Sequence, residues 1–362
     1  MSGLVYSSDL GASGLAGDWK LFRFTGEAGE LASNSAWVIP SQATMLYIEV
    51  IGGGGAGTGS WPANAPGKDV AGGGGGGGGA FAWGMYSVAH LKTAGITTLN
   101  VTCGAKATAT VGSGTDPSDG TMGNTSSVIG TASTSGYGNL TLRAYGGAGG
   151  TATYGSSGGV GGGGGGTGSI GIRGVLVSGA GGKGGAGGAP YCNGLNNTST
   201  STNVKEGIGG GGGSGGHNEG GSATDFTSCG QSAEYGGGGG GCPNNALGGG
   251  SVFGGGGGGG NAGSYQDTHG GAWNNFTQGG AGNGFDTNDT QTSSVAAAAG
   301  TSRKYGCGDG GAGLHNGPYD HANEIGGDGG SPGGGGGASE KNTVGHVRGG
   351  HGGRGEVRIW AI

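Results

Sequence analysis

Met45-Leu46-Tyr47-Ile48-Glu49-Val50-Ile51 alternates without a break and runs directly into Gly52-Gly53-Gly54-Gly55. Leu46, Ile48 and Val50 share one face and Tyr47 and Glu49 the other, the pattern of a half-buried strand. The abrupt change to glycine predicts a strand that feeds a segment packed by its backbone alone. The same design recurs in Asn139-Leu140-Thr141-Leu142-Arg143-Ala144-Tyr145, followed by Gly146-Gly147, and in Gly174-Val175-Leu176-Val177, followed by a tract from Gly179. The last residues, Glu356-Val357-Arg358-Ile359-Trp360-Ala361-Ile362, alternate again, with Val357 and Ile359 opposite Glu356 and Arg358. Shorter strand signals lie at 19–25, 36–38, 80–88 and 96–102. Only 294–299 has the composition for a turn of helix, a length that is marginal by itself.

What separates these strands is glycine: 111 of 362 residues. Hydrophobic residues make up 31% and charged residues 10%, enough for one modest core and no more. Collagen is excluded, because the chain has only 8 prolines and its glycines come in blocks without a Gly-X-Y period. Flexible linker and packed polyproline-II-type polyglycine remain. About twelve tracts of similar length are present, and eight residues at about 3.1 Å each make a rod of roughly 25 Å. Matched lengths favour a bundle with flush ends. Ordering glycine costs about 0.5–1 kcal/mol more than ordering alanine. Main-chain hydrogen bonds between rods, each on the order of 1 kcal/mol net, would offset that cost, with Cα–H···O contacts adding less. The predicted fold is therefore all-β: a small β-sandwich framework with a bundle of polyglycine II helices, long loops and almost no α-helix. The framework is expected from strands near 36–51, 80–145, 172–178 and 356–362, with the bundle and loops spanning 52–355. Residues 1–35 are expected to form an N-terminal attachment or oligomer-contact segment.

Several function classes find no footing. The 15 Lys and Arg form no basic run that would capture nucleic acid. No apolar stretch of about 18 residues suits membrane insertion. Residues 1–18 lack the pattern of a secretory signal, so an exterior protein of this kind is expected to leave the cell by lysis or as part of a virus particle. The five cysteines are widely spaced without C-x-x-C, which points to free buried thiols and away from zinc or redox chemistry. His315 with His321, and His346 with His351, lack metal-ligand spacing. The aspartates Asp116, Asp119, Asp286, Asp289, Asp309 and Asp328 read as turn residues, and no spaced carboxylate pair suits a glycosidase. No cofactor and no catalytic residue are expected.

Trp37-Val38-Ile39-Pro40 followed by the strand and glycines of 46–55 resembles the opening of a glycine-rich domain of bacteriophage tail-fibre proteins. Gly355-Glu356-Val357-Arg358-Ile359 resembles its closing strand, and Ala144-Tyr145-Gly146-Gly147-Ala148-Gly149-Gly150 also fits. The architecture is similar to that of polyglycine-bundle receptor-binding adhesins. The resemblance covers about 37–362. It implies a β-sandwich with polyglycine helices, a place on the virion surface, recognition of the host and assembly as a homotrimer.

The interruptions between tracts collect aromatics and amides, which offer ring faces and directional hydrogen bonds to sugars or protein loops. Counting rods as alternating up and down from the first strand puts loops 60–71, 151–160, 189–206, 242–247, 285–305 and 338–344 at the end remote from the strands. Trp61, Asn64, Tyr191, Asn193, Asn196, Phe285, Asn288 and Tyr305 are the candidate receptor-binding residues on those loops. The expected function is a non-catalytic tail-fibre or fibre-tip adhesin. Its expected partners are a host glycan or outer-membrane protein and other fibre or tail proteins. The alternative is a purely structural virion protein, a capsid decoration or fibre-shaft component.

Overall fold

The computed structural model describes residues 19–27, 30–59, 73–111, 118–152, 159–177, 181–183, 187–189, 230–241, 247–260, 295–314, 323–339 and 346–362. Its regular structure is mostly strand. The strands are β1 (Lys20–Phe24), β2 (Asn34–Val38), β3 (Met45–Ile51), β4 (Phe81–Ser87), β5 (Thr98–Thr102), β6 (Ser126–Gly130) and β7 (Leu140–Ala144). They continue with β8 (Val175–Val177), β9 (Gly181–Lys183), β10 (Val295–Ala296), β11 (Asn323–Ile325), β12 (His346–Arg348) and β13 (Glu356–Ala361).

Two antiparallel four-stranded sheets, ordered β1-β13-β3-β4 and β2-β5-β6-β7, share one core. Alternation decides what each strand contributes. From the first sheet, Phe24, Leu46, Ile48, Val50, Val357 and Ile359 turn inward; from the second, Trp37, Leu99, Val101 and Val128. The Trp37 ring meets Phe22 edge-on at 5.1 Å and Phe24 at 6.3 Å. Among the described residues the one helix is α1 (Val88–Thr93). The Ser87 hydroxyl caps it by accepting from the His90 N–H, and Val88 and Leu91, three apart, face the core. Gly95, at φ +75°, turns the chain toward β5.

Two expectations need correction. Residues 294–299 form no helical turn: Val295–Ala296 is β10, in a parallel sheet β10-β11-β12. The strand at 172–178 is not part of the two large sheets, since β8 pairs with β9 in a separate ribbon. Within 1–35, the strand β1 pairs along its length with β13. Its apolar residues Phe22 and Phe24 pack on the core, which ties the segment to the framework.

The glycine tracts are joined to one another by main-chain hydrogen bonds that repeat every third residue. The N–H groups of Gly54 and Gly57 donate to Gly353 and Gly350, those of Gly55 and Thr58 to Gly77 and Gly74, and those of Gly53 and Ala56 to Asn124 and Thr121. Successive residues thus address three different neighbours in rotation. The segment 73–79 is enclosed. It donates to 236–241, 333–339 and 145–148, and accepts from 52–58, 159–166 and 254–260. The separations of these six contacts lie between 2.7 and 3.1 Å. Side chains have no room there: a Cβ on Gly76 would overlap the carbonyl of Gly55, and one on Gly258 the carbonyl of Gly336.

Candidate functional site

Each rod has one end against the sheets and one end remote from them. Near the sheets, Gly52 bonds Ala80, Ala80 bonds Tyr145, Tyr145 bonds Gly166, and Gly79 bonds Gly333. At the remote end Gly59 exchanges hydrogen bonds with Ser118, Thr151 exchanges them with Val160, Leu314 donates to Ala338, and Ser339 donates to Thr58. The parallel sheet β10-β11-β12 enters the bundle from this end, and its Arg348 bridges to Val111. The described residues flanking 60–72, 153–158, 261–294, 315–322 and 340–345 all lie here. These five connections therefore begin and return at the remote end, whereas 190–229 leaves from the sheet end at Ala189.

Of the eight candidate binding residues, Trp61, Asn64, Tyr191, Asn193, Asn196, Phe285 and Asn288 lie outside the described residues. Tyr305 is described, and its expected place is corrected. It stands in the turn at 304–306 beside the sheets, where the Gly306 carbonyl accepts from Arg358 at 2.9 Å. The alternating count failed because 297–301 is a rod despite having one glycine. Ala297 donates to Ile325 and Gly300 to Asp328. That rod is peripheral, so Ala299 can point to solvent. The loop expected at 189–206 also begins at the sheet end, because Gly168 donates to the Ala189 carbonyl.

The remote end carries few charges among the described residues. Asp119 accepts from Arg173 at 2.7 Å and from the Ala152 N–H at 2.8 Å, and Arg173 also reaches the Gly120 carbonyl. The strongest electrostatic cluster lies at the other end. Glu356 has no solvent exposure and accepts from Arg23 at 2.6 and 2.9 Å, from Arg354 at 2.8 Å and from Arg358 at 2.6 Å. Arg358 continues to Glu49 at 3.1 Å, and Arg354 to Glu27 at 2.7 Å. Burial alone would push the Glu356 carboxyl up; the Arg23 hydrogen bond and the charges of Arg358 and Arg23 outweigh it and hold the pKa below the ordinary value. A carboxylate so saturated with donors fixes structure and has no lone pair free for proton transfer. Cys103 and Cys307 are free thiols pushed up by burial, Cys103 to about 12, and thus little ionised near neutral pH.

A sequence signal for the bundle's flank was present but unread. Arg348-Gly-Gly-His351-Gly-Gly-Arg354 and Ile325-Gly-Gly-Asp328-Gly-Gly-Ser331 place one side chain every third residue. Main-chain hydrogen bonds that repeat every third residue leave those side chains on one side of each segment. The two rows meet: the Asp328 carboxylate accepts from the His351 N–H at 2.8 Å and lies 3.6 Å from Arg348, with Lys106 at 3.4 Å. The Nδ1 atom of His351 accepts from the Ala109 N–H at 3.0 Å. No group of three or more His, Cys, Asp or Glu residues is placed to hold a metal among the described residues.

Comparison with protein-family models and with curated proteins finds no match.

Proposed function

We propose that this chain is a tail-fibre or fibre-tip adhesin on a virion surface, binding a host glycan or outer-membrane protein without chemistry. In this reading the glycine segments are polyglycine II helices and the two four-stranded sheets form a sandwich that anchors them. The chain works as a homotrimer joined to other fibre or tail proteins. The observation that carries the reading is the convergence of rod ends at the pole remote from the sheets, where the long connections 60–72 and 261–294 depart from Gly59 and Gly260. A stiff bundle holding variable loops at one pole separates the task of support from that of specificity. The period-three hydrogen bonding supports the helical assignment, since a threefold helix directs successive N–H groups 120° apart.

Purified protein is expected to bind host cells and to compete with infection. Alanine substitution of Trp61, Asn64, Phe285 and Asn288 together is expected to lower binding at least tenfold while leaving the melting temperature unchanged. Undiminished binding would remove these loops from the reading.

A further inference from the structure

The outer faces of the two large sheets differ in kind. That of β2-β5-β6-β7 displays Thr98, Asn100, Thr102, Ser127, Thr141 and Arg143 alongside Val38, 67% exposed, and Ile129, a mixed and largely polar surface. That of β1-β13-β3-β4 is apolar in register: Leu21, Trp360, Tyr47 and Met85 form one cross-strand row, and Trp83 lies in the next. The Tyr47 ring is 5.3 Å from Trp360 and 5.9 Å from Trp83. Trp19 is 52% exposed, Trp83 48% and Met85 55%. Nearer the bundle the same face is covered by the chain's own turns, where Phe253 stacks on Phe81 at 6.0 Å. Among the described residues the cover stops short of the tryptophans.

We propose that this open face is an interface between copies of this chain. The charge pattern favours a second copy. The ionic groups on the face, Arg23, Arg358 and Glu49, are neutralised within the molecule, Arg358 on Glu49 at 3.1 Å and Arg23 on Glu356 at 2.6 Å. Copies of this face gathered about an axis meet without like-charge repulsion, and among its described residues no charge is left without a partner to select an oppositely charged protein. Size agrees. Aromatic side chains carry about 150–250 Å² each, so the exposed parts of this row and its neighbours leave on the order of 600 Å² of apolar surface. That is near the roughly 800 Å² per partner of a stable protein interface and at the top of what a monomer leaves open. The inference rests on the homotrimer part of that reading and is independent of receptor binding by the loops, so it and the loop reading fail separately.

The test uses the full chain. Light scattering from about 1 to about 100 µM should give a mass that is a multiple of one chain's 33.7 kDa, rising with concentration. Trp83→Arg and Met85→Arg should each return it to the single-chain mass with the circular dichroism spectrum retained. Thr141→Arg on the other sheet should leave it unchanged. Hydroxyl-radical footprinting of the unaltered protein needs no variant: oxidation of Trp83 and Trp360 should fall as concentration rises. A single-chain mass throughout, oxidation independent of concentration, or multimers that persist in folded Trp83→Arg and Met85→Arg would each overturn the proposal. Host binding retained by a monomeric Trp83→Arg variant would leave the loop reading intact.

Discussion

Glu356 is the residue on which the strand end and the bundle depend together. Its carboxylate meets three guanidinium groups, one from β1, one from the last rod and one from its own strand. Removing one partner of a buried ionic cluster leaves the others desolvated and unpaired, at a cost of about 3–5 kcal/mol. Glu356→Gln should therefore lower the stability to chemical denaturation by that order. Acid acts on the same group. Because the folded pKa lies below the ordinary glutamate value, its contribution is complete above about pH 4.3 and is lost as the pH falls through the folded value. His351 responds to acid as well. Burial, then the positive Arg348 and Lys106, outweigh Asp328 and lower its pKa, and its Nδ1 must stay unprotonated to accept from Ala109. A histidine with a lowered folded pKa gives full stability above about pH 6.5, its ordinary value, and loses it as the pH falls below that. His351→Asn puts an amide oxygen where Nδ1 accepts. Melting curves of this variant between pH 7 and pH 5 should lose the His351 part of the decline while matching the original protein at pH 7.

At the scale of the element, the same three-residue period gives opposite tolerance to substitution at neighbouring positions. Gly76 belongs to the enclosed rod 73–79, where an added methyl group meets the Gly55 carbonyl and the rods must part. Gly76→Ala should destabilise by at least the roughly 1–3 kcal/mol of ordinary overpacking. Asp328 projects from a peripheral rod with partners that are partly solvated. Asp328→Ala should cost under about 1 kcal/mol. Denaturant midpoints of the two variants measure the contrast. The strands were legible because alternation is a local signal: the sequence pattern places β3 at 45–51, its observed bounds, and assigns Val357 and Ile359 to the core face. The outward face of β13 was legible as charged but not as buried, because the turn at 304–306 that covers Arg358 comes from 50 residues upstream in a different rod. The peripheral rods were misread for a related reason. Only an enclosed rod must be glycine throughout, so 297–301, alanine-rich and on the flank, gave no glycine signal, and Tyr305 just beyond it was assigned to the wrong end.

For the whole molecule, the question is what holds so much glycine in one arrangement. The two sheets supply one hydrophobic core, with Leu46, Ile48, Val50, Leu99, Val101, Val128 and Ile359 fully or almost fully buried. At about 1.5–3 kcal/mol for each such side chain, that core can anchor strands, but it lies wholly outside the bundle. Inside the bundle main-chain groups predominate, with a few small buried side chains such as Thr58, Ala148 and Ser251. The N–H groups of the central rods point at carbonyls of other rods, as Gly76 does at Gly336, Gly258 at Gly76 and Gly335 at Gly256, at 2.7 to 2.9 Å. A single such segment alone would bond only to water, so cohesion is collective and its loss should be too. Amide exchange reads this directly. The N–H groups of 75–79, 255–258 and 334–337 should exchange with the slow rate of global unfolding, alongside those of Ile48 and Ile359 in the sheets. Glycine amides that bonded only to solvent would exchange within seconds even while the sheets stayed protected. A split between fast rods and slow sheets would mean that the bundle is not a cooperative solid and that nothing holds the remote loops in register. A single slow class extending from the core strands through the central rods is the expected result, and Gly76→Ala should speed the whole class at once.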